Sequence, residues 1–438
     1  MIRVRAPLFS WAWRYAARQY LRESLWVFPI LGGVTGAVLA SVDNHIESRY
    51  QLPSGWLYTP DAAAGILTTI IAAMVGLFGF VVTISVLVVQ MATGTLSPRF
   101  MRLWYRSRLQ KLVLAMFVGT VGFSFRLLRD ITATTVPSVG VTMAGVLFGV
   151  CLILLLLYLN RFAHSLRPVA VGAKVARQGL AEVRGMRDSM VAASRRFLPI
   201  PTHEPALPGE PTAVVAIHGG GGAVQAYNLK GLLDEAIRTD SLLALTCTVG
   251  DFVTMGTPVV KVYGGVAAPR PQALLSMVAL GEERSIEYDP AFAMRIIVDI
   301  AIRALSPAVN DPTTGVQLIN HAEFLMVGVL PVLSDARYVT MHDDTGRPRV
   351  ILPLRTFEDY LQLAVTEIRQ YGGASTQICR RLTVMLEDLS ARCTPQSAAV
   401  VAVEKAKLDR TIATHFVDAA DHALARGHDR QGLGAPSR

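Results

Sequence analysis

The chain has 438 residues, of which 52% are hydrophobic and 17% charged, with a mean hydropathy of +0.39. A soluble domain carries about 25% charge, so the composition excludes a wholly water-exposed protein and implies a large lipid-facing surface. The net charge of +9 gathers at the ends of apolar stretches, which suits anionic headgroups. No aromatic–basic RNA-binding pattern accompanies it, so no nucleic-acid partner is expected.

Residues 1–24 read as a cytoplasmic amphipathic segment. Arg3, Arg5, Arg14, Arg18 and Arg22 alternate with Trp11, Trp13, Tyr15 and Tyr20, a mixture that suits an interfacial helix. It is too aromatic for the start of a signal peptide, so the first apolar stretch is expected to stay uncleaved, although Val38 and Ala40 are small enough for a cleavage site.

Residues 25–165 predict a four-helix transmembrane domain. The spans are roughly Leu25–Ser41, Ala62–Gln90, Leu112–Leu128 and Val139–Leu159, against the roughly 20 apolar residues that cross a bilayer. The second is longer, and is expected to tilt or to project before Pro98. Arg99, Arg102, Arg106, Arg108 and Lys111 follow it with no acid among them, and form a lipid-facing basic collar. The first loop instead carries Asp43, Glu47 and Asp61 against Arg49. Arg161, Arg167, Lys174 and Arg177 follow the fourth span. By the positive-inside rule both termini are cytoplasmic in a bacterial inner membrane.

The spans hold no central Asp, Glu, Lys or Arg, which argues against a proton relay or a voltage sensor. Thr68, Thr69, Thr83, Ser85 and Gln90 give the second span a polar side. They either line a pore or bond back to their own helix. Gly32/Gly36 and Gly145/Gly149 are GxxxG pairs, and Gly76/Gly79 and Gly119/Gly122 mark the middle spans. Small faces of this kind pack helices within a chain or between subunits.

Residues 166–211 read as an exit helix and a Pro-rich linker containing Pro199, Pro201, Pro205, Pro208 and Pro211. Residues 212–270 form a small β-rich domain. Its expected strands are Ala213–Ile217, Ala223–Tyr227, Leu242–Thr248 and Pro258–Tyr263, with a helix over Gly231–Arg238 capped by Asn228. The run from Gly250 to Pro258 resembles a tight β turn of biotinyl and lipoyl domains, without their acceptor lysine context. Residues 271–427 predict a mainly helical cytoplasmic domain, with a hairpin over Tyr338–Leu352 turning at Asp343–Gly346. Its later helices are Phe357–Tyr371, Gln377–Leu389 and about Gln396–Ala425. Residues 428–438 read as a disordered tail.

Within this last domain Arg295, Asp299 and Arg303 fall on one helix face among apolar neighbours. Pro307 stops that helix, and Asp311 with Pro312 starts the next. Arg295, Asp299, Arg303, Asn310 and Asp311 are therefore the candidate polar site, or else a capped helix corner. His218 with Gly219–Gly222 resembles an oxyanion loop, but no nucleophile elbow accompanies it. No phosphate loop or metal-ligand spacing is present. Cys151, Cys247, Cys379 and Cys393 are scattered. No enzyme activity and no cofactor is expected.

Several of these stretches together resemble one family, the bacterial membrane proteins grouped as domain of unknown function 2254. The resemblance rests on Ser97–Phe100 (SPRF), Leu114–Thr120, Gly250–Val253 with Gly256, Val298–Thr314 (VDIAIRALSPAVNDPTT) and Glu367–Gly372 (EIRQYG), and it covers roughly residues 25–425. It departs at Trp104–Arg108, where Ser107 stands in place of an expected Asp. The family implies a membrane protein and supplies no activity. The expectation is a membrane α-helical protein of four spans followed by a cytoplasmic α+β region. It would contact membrane lipids and form a homo-oligomer, as a channel- or transport-like assembly or as a scaffold or sensor for anionic lipid or a protein partner.

Overall fold

The computed structural model describes residues 10–47, 57–95, 107–133, 135–165, 167–193, 200–205, 207–265, 269–331 and 336–430. The chain divides into two compact units. One is Gln19–Arg167, and the other is Pro168–Arg438 together with Met1–Arg18.

The first unit begins in α1 (Trp11–Glu23) and contains α2 (Val27–Glu47), α3 (Pro60–Thr95), α4 (Arg108–Asp130) and α5 (Ser138–Ser165). α3, α4 and α5 are each long and apolar enough to cross a membrane. α1 and α2 meet that test together, as a pair bent by 76°. The unit thus has three to four candidate spans. At 36 residues, α3 is about 54 Å long, well beyond a hydrocarbon core.

Lipid offers no hydrophobic drive for helices to associate, so close backbone approach must supply dispersion instead. That approach occurs between α2 and α4. A Cβ on Gly32 would lie 2.2 Å from the Ala115 carbonyl oxygen, one on Gly36 2.1 Å from that of Gly119, and one on Gly122 2.5 Å from that of Gly33. No other residue type fits those positions without separating the helices. The GxxxG pair of the first span is therefore used inside the chain. Around Gly76, Gly79, Gly145 and Gly149 a Cβ would meet nothing within 4 Å.

The second unit follows in α6 (Pro168–Ala193), which packs its Gly172 and Gly179 against Leu318 and Ala293. Its strands are β1 (Ile200–Thr202), β2 (Ala213–Ala216), β3 (Gly222–Tyr227), β4 (Ser241–Leu245), β5 (Phe252–Val253), β6 (Pro258–Gly264), β7 (Val278–Gly281), β8 (Tyr338–His342) and β9 (Pro348–Pro353). Between them run α7 (Leu229–Arg238), α8 (Pro271–Leu275), α9 (Pro290–Ala304) and α10 (Pro312–Val329). α11 (Phe357–Gly372), α12 (Thr376–Ser390), α13 (Pro395–His415) and α14 (Ala419–Ala425) complete it.

Six strands form one sheet in the order β1-β8-β9-β4-β6-β2, and β5-β3-β7 form another. β4 pairs antiparallel with β6 and parallel with β9. This pairing carries the hairpin into the sheet, so a boundary at 270/271 does not separate two domains. The Pro-rich segment is more than a linker, since Pro201 sits in edge strand β1 opposite Val339, a place where proline is tolerated. α1 enters this unit at its first turn, where the Ala12 N–H donates to the Ser276 carbonyl at 3.1 Å. The helix expected over Gln396–Ala425 is broken, because Asp418 caps α14 by accepting from Ala420 N and Asp421 N. The start of the expected tail is docked, with Arg430 donating to both oxygens of Asp388 at 2.5 and 2.6 Å. Residues 431–438 lie outside the described residues.

The β8–β9 turn is built around one carboxylate. Asp343 Oδ1 accepts from Thr345 N, Thr345 Oγ1 and Arg347 N at 2.9, 2.6 and 3.1 Å, and Oδ2 accepts from Arg349 Nε at 2.7 Å. Burial opposes its ionisation, but the donors from Thr345, Arg349 and the turn backbone outweigh burial and hold it well below the usual carboxylate range.

Two outcomes follow. Gly36→Ala lowers the thermal midpoint of the detergent-solubilised protein, at a cost on the order of 1–3 kcal/mol for overpacking. Gly185→Ala, where a Cβ meets open space, loses nothing. The folded-state pKa of Asp343 lies below the unfolded value of about 3.9. Its stabilisation is therefore complete above that value and is lost as pH falls through the folded pKa. Circular-dichroism melts should show a midpoint falling between about pH 4 and pH 2. Asp343→Asn should lower the midpoint at pH 7 and flatten that acid dependence.

Candidate functional site

The polar residues of α3 split into two groups. Thr68, Thr69 and Thr83 are exposed, and each hydroxyl donates to the carbonyl one turn back, at Ala64, Gly65 and Gly79. Gln90 is also exposed. Ser85 points inward instead. It donates to Val81 O, meets the Tyr158 hydroxyl at 3.2 Å, and accepts from Gln110 Nε2 at 3.2 Å. Ser85 is therefore a member of an internal cluster and not of an outer polar face.

The outer face of α3 has a second property. Gly65, Thr69, Ala72, Gly76, Gly79 and Thr83 are all exposed and recur at alternating steps of four and three. That spacing puts them in one stripe. Among the described residues, none of the three glycines has an atom within 4 Å of an added Cβ.

Of the basic collar, Arg99, Arg102 and Arg106 lie outside the described residues, and Arg108 is exposed. Lys111 contradicts the lipid-facing expectation. It is 6% exposed, its ammonium donates to the Leu21 and Arg22 carbonyls, and it lies 4.8 Å from the Phe28 ring centroid. It caps the C-terminal end of α1, where carbonyls lack helical partners and a cation is favoured.

In the α+β unit the expected polar site divides. Arg295 Nε donates to Asp299 Oδ1 at 2.6 Å. Its Nη1 donates to Glu367 Oε1 at 2.8 Å, and its Nη2 to Glu367 Oε2. Burial discourages the Arg295 charge, and Glu367 with Asp299 restores it. Asn310 and Asp311 serve the corner between α9 and α10. Asn310 is exposed, with φ +48. Asp311 N–H donates to Ala304 O at 2.7 Å, and its carboxylate accepts from Thr314 N and Thr314 Oγ1. The corner closes tightly, since a Cβ on Gly315 would meet Leu305 Cδ2 at 2.9 Å. Arg303 is half-buried on the same helix. The chemistry here is charge pairing and capping.

Glu367 was present in the sequence as the first residue of EIRQYG, but no local spacing joins it to Arg295. His218 is exposed. Gly221 and Gly222 exist for strand contact, because a Cβ on them would lie 2.0 Å from Val253 O and 2.6 Å from Gly281 O. Among the described residues no group of three His, Cys, Asp or Glu stands close enough to hold a metal ion.

A cavity of about 660 Å³ opens in the α+β unit. Trp11 of α1, Met190 of α6, Tyr227 of β3, Leu352 of β9, Arg355 and Tyr360 of α11 contribute to its wall. Beside it Asp289 caps α9, accepting from Phe292 N at 3.2 Å and from Arg284 Nε at 2.9 Å. Burial raises the Asp289 pKa against the pull of Arg284.

A family model described as "Predicted membrane protein (DUF2254)" matches residues 22–388. The chain is 28% identical to an uncharacterized protein of Mycobacterium tuberculosis strain H37Rv, covering 94% of this chain and 81% of the relative. The same identity and coverage hold for uncharacterized proteins of M. tuberculosis CDC 1551 and of Mycobacterium bovis. No solved structure matches.

Arg295→Met removes the cation that Asp299 and Glu367 share. It should destabilise the α+β unit by about 1–3 kcal/mol. Adding Asp299→Asn should return part of that loss, with a coupling energy of about 0.5–3 kcal/mol from chemical unfolding. A coupling of zero would mean the two residues are energetically independent.

Proposed function

Since this chain belongs to the DUF2254 family of predicted membrane proteins, we propose that it is a homo-oligomeric, channel- or transport-like assembly of the bacterial inner membrane. In this reading α2, α3, α4 and α5 cross the bilayer and both termini are cytoplasmic. The α+β unit serves as a cytoplasmic vestibule or sensor. The orientation rests on Arg14, Arg18 and Arg22 before α2 and on Arg161, Arg167, Lys174 and Arg177 after the apolar part of α5.

The observation that carries the oligomer is the bare stripe on α3. Within the same unit, the small faces of α2 and α4 are covered by backbone at van der Waals range. Gly65, Gly76 and Gly79 have no such cover, and acyl chains fill a glycine notch less well than a helix does. A second copy presenting the same stripe is the self-complementary solution that closed symmetry favours. Around a central axis, Thr68, Thr69 and Thr83 would then give that contact its polar groups. A specific observation favours a second reading, a non-transporting scaffold or sensor for anionic lipid or a protein partner. The three hydroxyls already donate within their own helix, which lowers their value as pore ligands.

Native mass spectrometry from mild detergent should find a defined oligomer. Gly76→Leu with Gly79→Leu should shift it toward monomer, while Gly185→Ala should not. Liposomes should pass small ions with the wild type and not with the double variant. A wild type that is monomeric in several mild detergents and conducts nothing would overturn the proposal. A stable oligomer without flux would support the scaffold.

A further inference from the structure

We infer that the cavity in the α+β unit is a binding site for a small amphiphile, an apolar chain or ring carrying one anionic head. This site lies within one unit, so it stands whether or not the chain forms an oligomer.

Its volume of about 660 Å³ falls inside the range of roughly 300–1,000 Å³ that small-molecule sites occupy. The wall is mostly apolar, from Met186, Met190, Val339, Leu352 and Leu354, with Trp11 and Tyr227 adding aromatic surface. A site with this wall gains most of its affinity from an apolar body.

Two donors give the site its polar end. Tyr360 is 4% exposed and lines the cavity, where its hydroxyl can donate to a ligand. Burial pushes the Tyr360 pKa up, so the group is a neutral donor at every physiological pH. Arg355 lines the same cavity. Its Nη2 donates to Asp251 Oδ1 at 3.2 Å, while its Nε is buried without a partner.

The charges select the sign of the head. Arg187, Lys230 and Arg355 line the cavity, and Asp289 is the acidic residue among the lining side chains. That carboxylate is already engaged. Oδ2 meets Arg284 Nη2 at 2.8 Å and Nε at 2.9 Å, and Oδ1 accepts from Phe292 N. The acceptor Asn228 Oδ1 is likewise taken, by Gly231 N. The remaining charged side chains of the wall are cations, so an acceptor-rich anion completes the site better than a cation does.

Hexyl phosphate is the probe, with hexanoate, hexanol and inorganic phosphate as controls. Each is titrated calorimetrically into the full chain in non-ionic detergent. Hexyl phosphate or hexanoate should bind and raise the thermal midpoint, and the tighter of the two identifies the head. Hexanol and inorganic phosphate should each bind at least about tenfold more weakly. Tyr360→Phe and Arg355→Gln should each weaken the amphiphile by about tenfold, and Met190→Trp should block it by filling the cavity. Tyr360→Phe keeps the ring and guards against a folding artefact, as does the unliganded melt of each variant. Absence of binding by both amphiphiles would overturn the inference. So would binding unchanged in all three variants, which reports partition into detergent. Inorganic phosphate binding as tightly as hexyl phosphate would overturn it too.

Discussion

In a hydrocarbon solvent two helices gain nothing by hiding apolar surface from water, so their association depends on how closely their backbones meet. In this chain that contact is made by Gly32, Gly33 and Gly36 on α2 with Ala115, Gly119 and Gly122 on α4. Much of the membrane unit depends on it. It fixes one side of α4, whose other side holds Phe117 and Leu127 in the shared core with Leu67 and Met74 of α3. It sets the start of α4 beside the end of α1, where Lys111 turns in to cap Leu21 and Arg22. It also consumes the small faces of α2 and α4, and leaves those of α3 and of Gly145 and Gly149 on α5 uncovered among the described residues.

The α+β unit is held by a different rule. It carries a charged and hydrogen-bonded interior, and each charge drawn inward has to find its counter-charge. Arg295 is answered twice, by Asp299 on its own helix and by Glu367 on α11. Arg349 is answered by Asp343 and by Asp240, across the hairpin and the end of α7. Arg381 of α12 binds Asn320 and Glu323 of α10. These links join elements far apart in the chain. Against that background of charge pairs, an unpartnered guanidinium nitrogen on a cavity-lining arginine, Arg355, is informative.

Local signals in the sequence located most elements. Apolar length marked the spans, Asn228 and Asp311 marked helix starts by their capping geometry, and Asp343–Gly346 marked the hairpin turn. The six-stranded sheet was not legible, because β1 and β9 join it through pairings that no local period encodes. β1 has only three residues, one of them proline, too short for any alternation to register. The basic loop before α4 gave its orientation value as a sum. The sum could not reveal that Lys111 is buried, since the carbonyls it caps lie about ninety residues earlier. The polar site was half legible for the same reason. Arg295 and Asp299 share a helix, whereas Glu367 reaches them only through the packing of α11 on α9.

The α3 stripe and the cavity lie in different units and call for different partners. The α3 stripe lacks backbone cover, which another helix supplies. The cavity wall includes Arg355, whose Nε lacks a partner, and a small anion is the partner inferred for it. The chain passes between the units twice, within α1 at Arg18–Gln19 and between α5 and α6 at Arg167–Pro168. The cavity takes Trp11 from the first of these helices and Met186 and Met190 from α6. A ligand shifts a conformational equilibrium only by its differential affinity for the two states. Any influence of cavity occupancy on the membrane helices through the chain itself therefore requires that α1 or α6 contact the ligand differently in those states. The wall that α1 and α6 contribute, with Trp11, Met186 and Met190 in it, is where that difference has to arise.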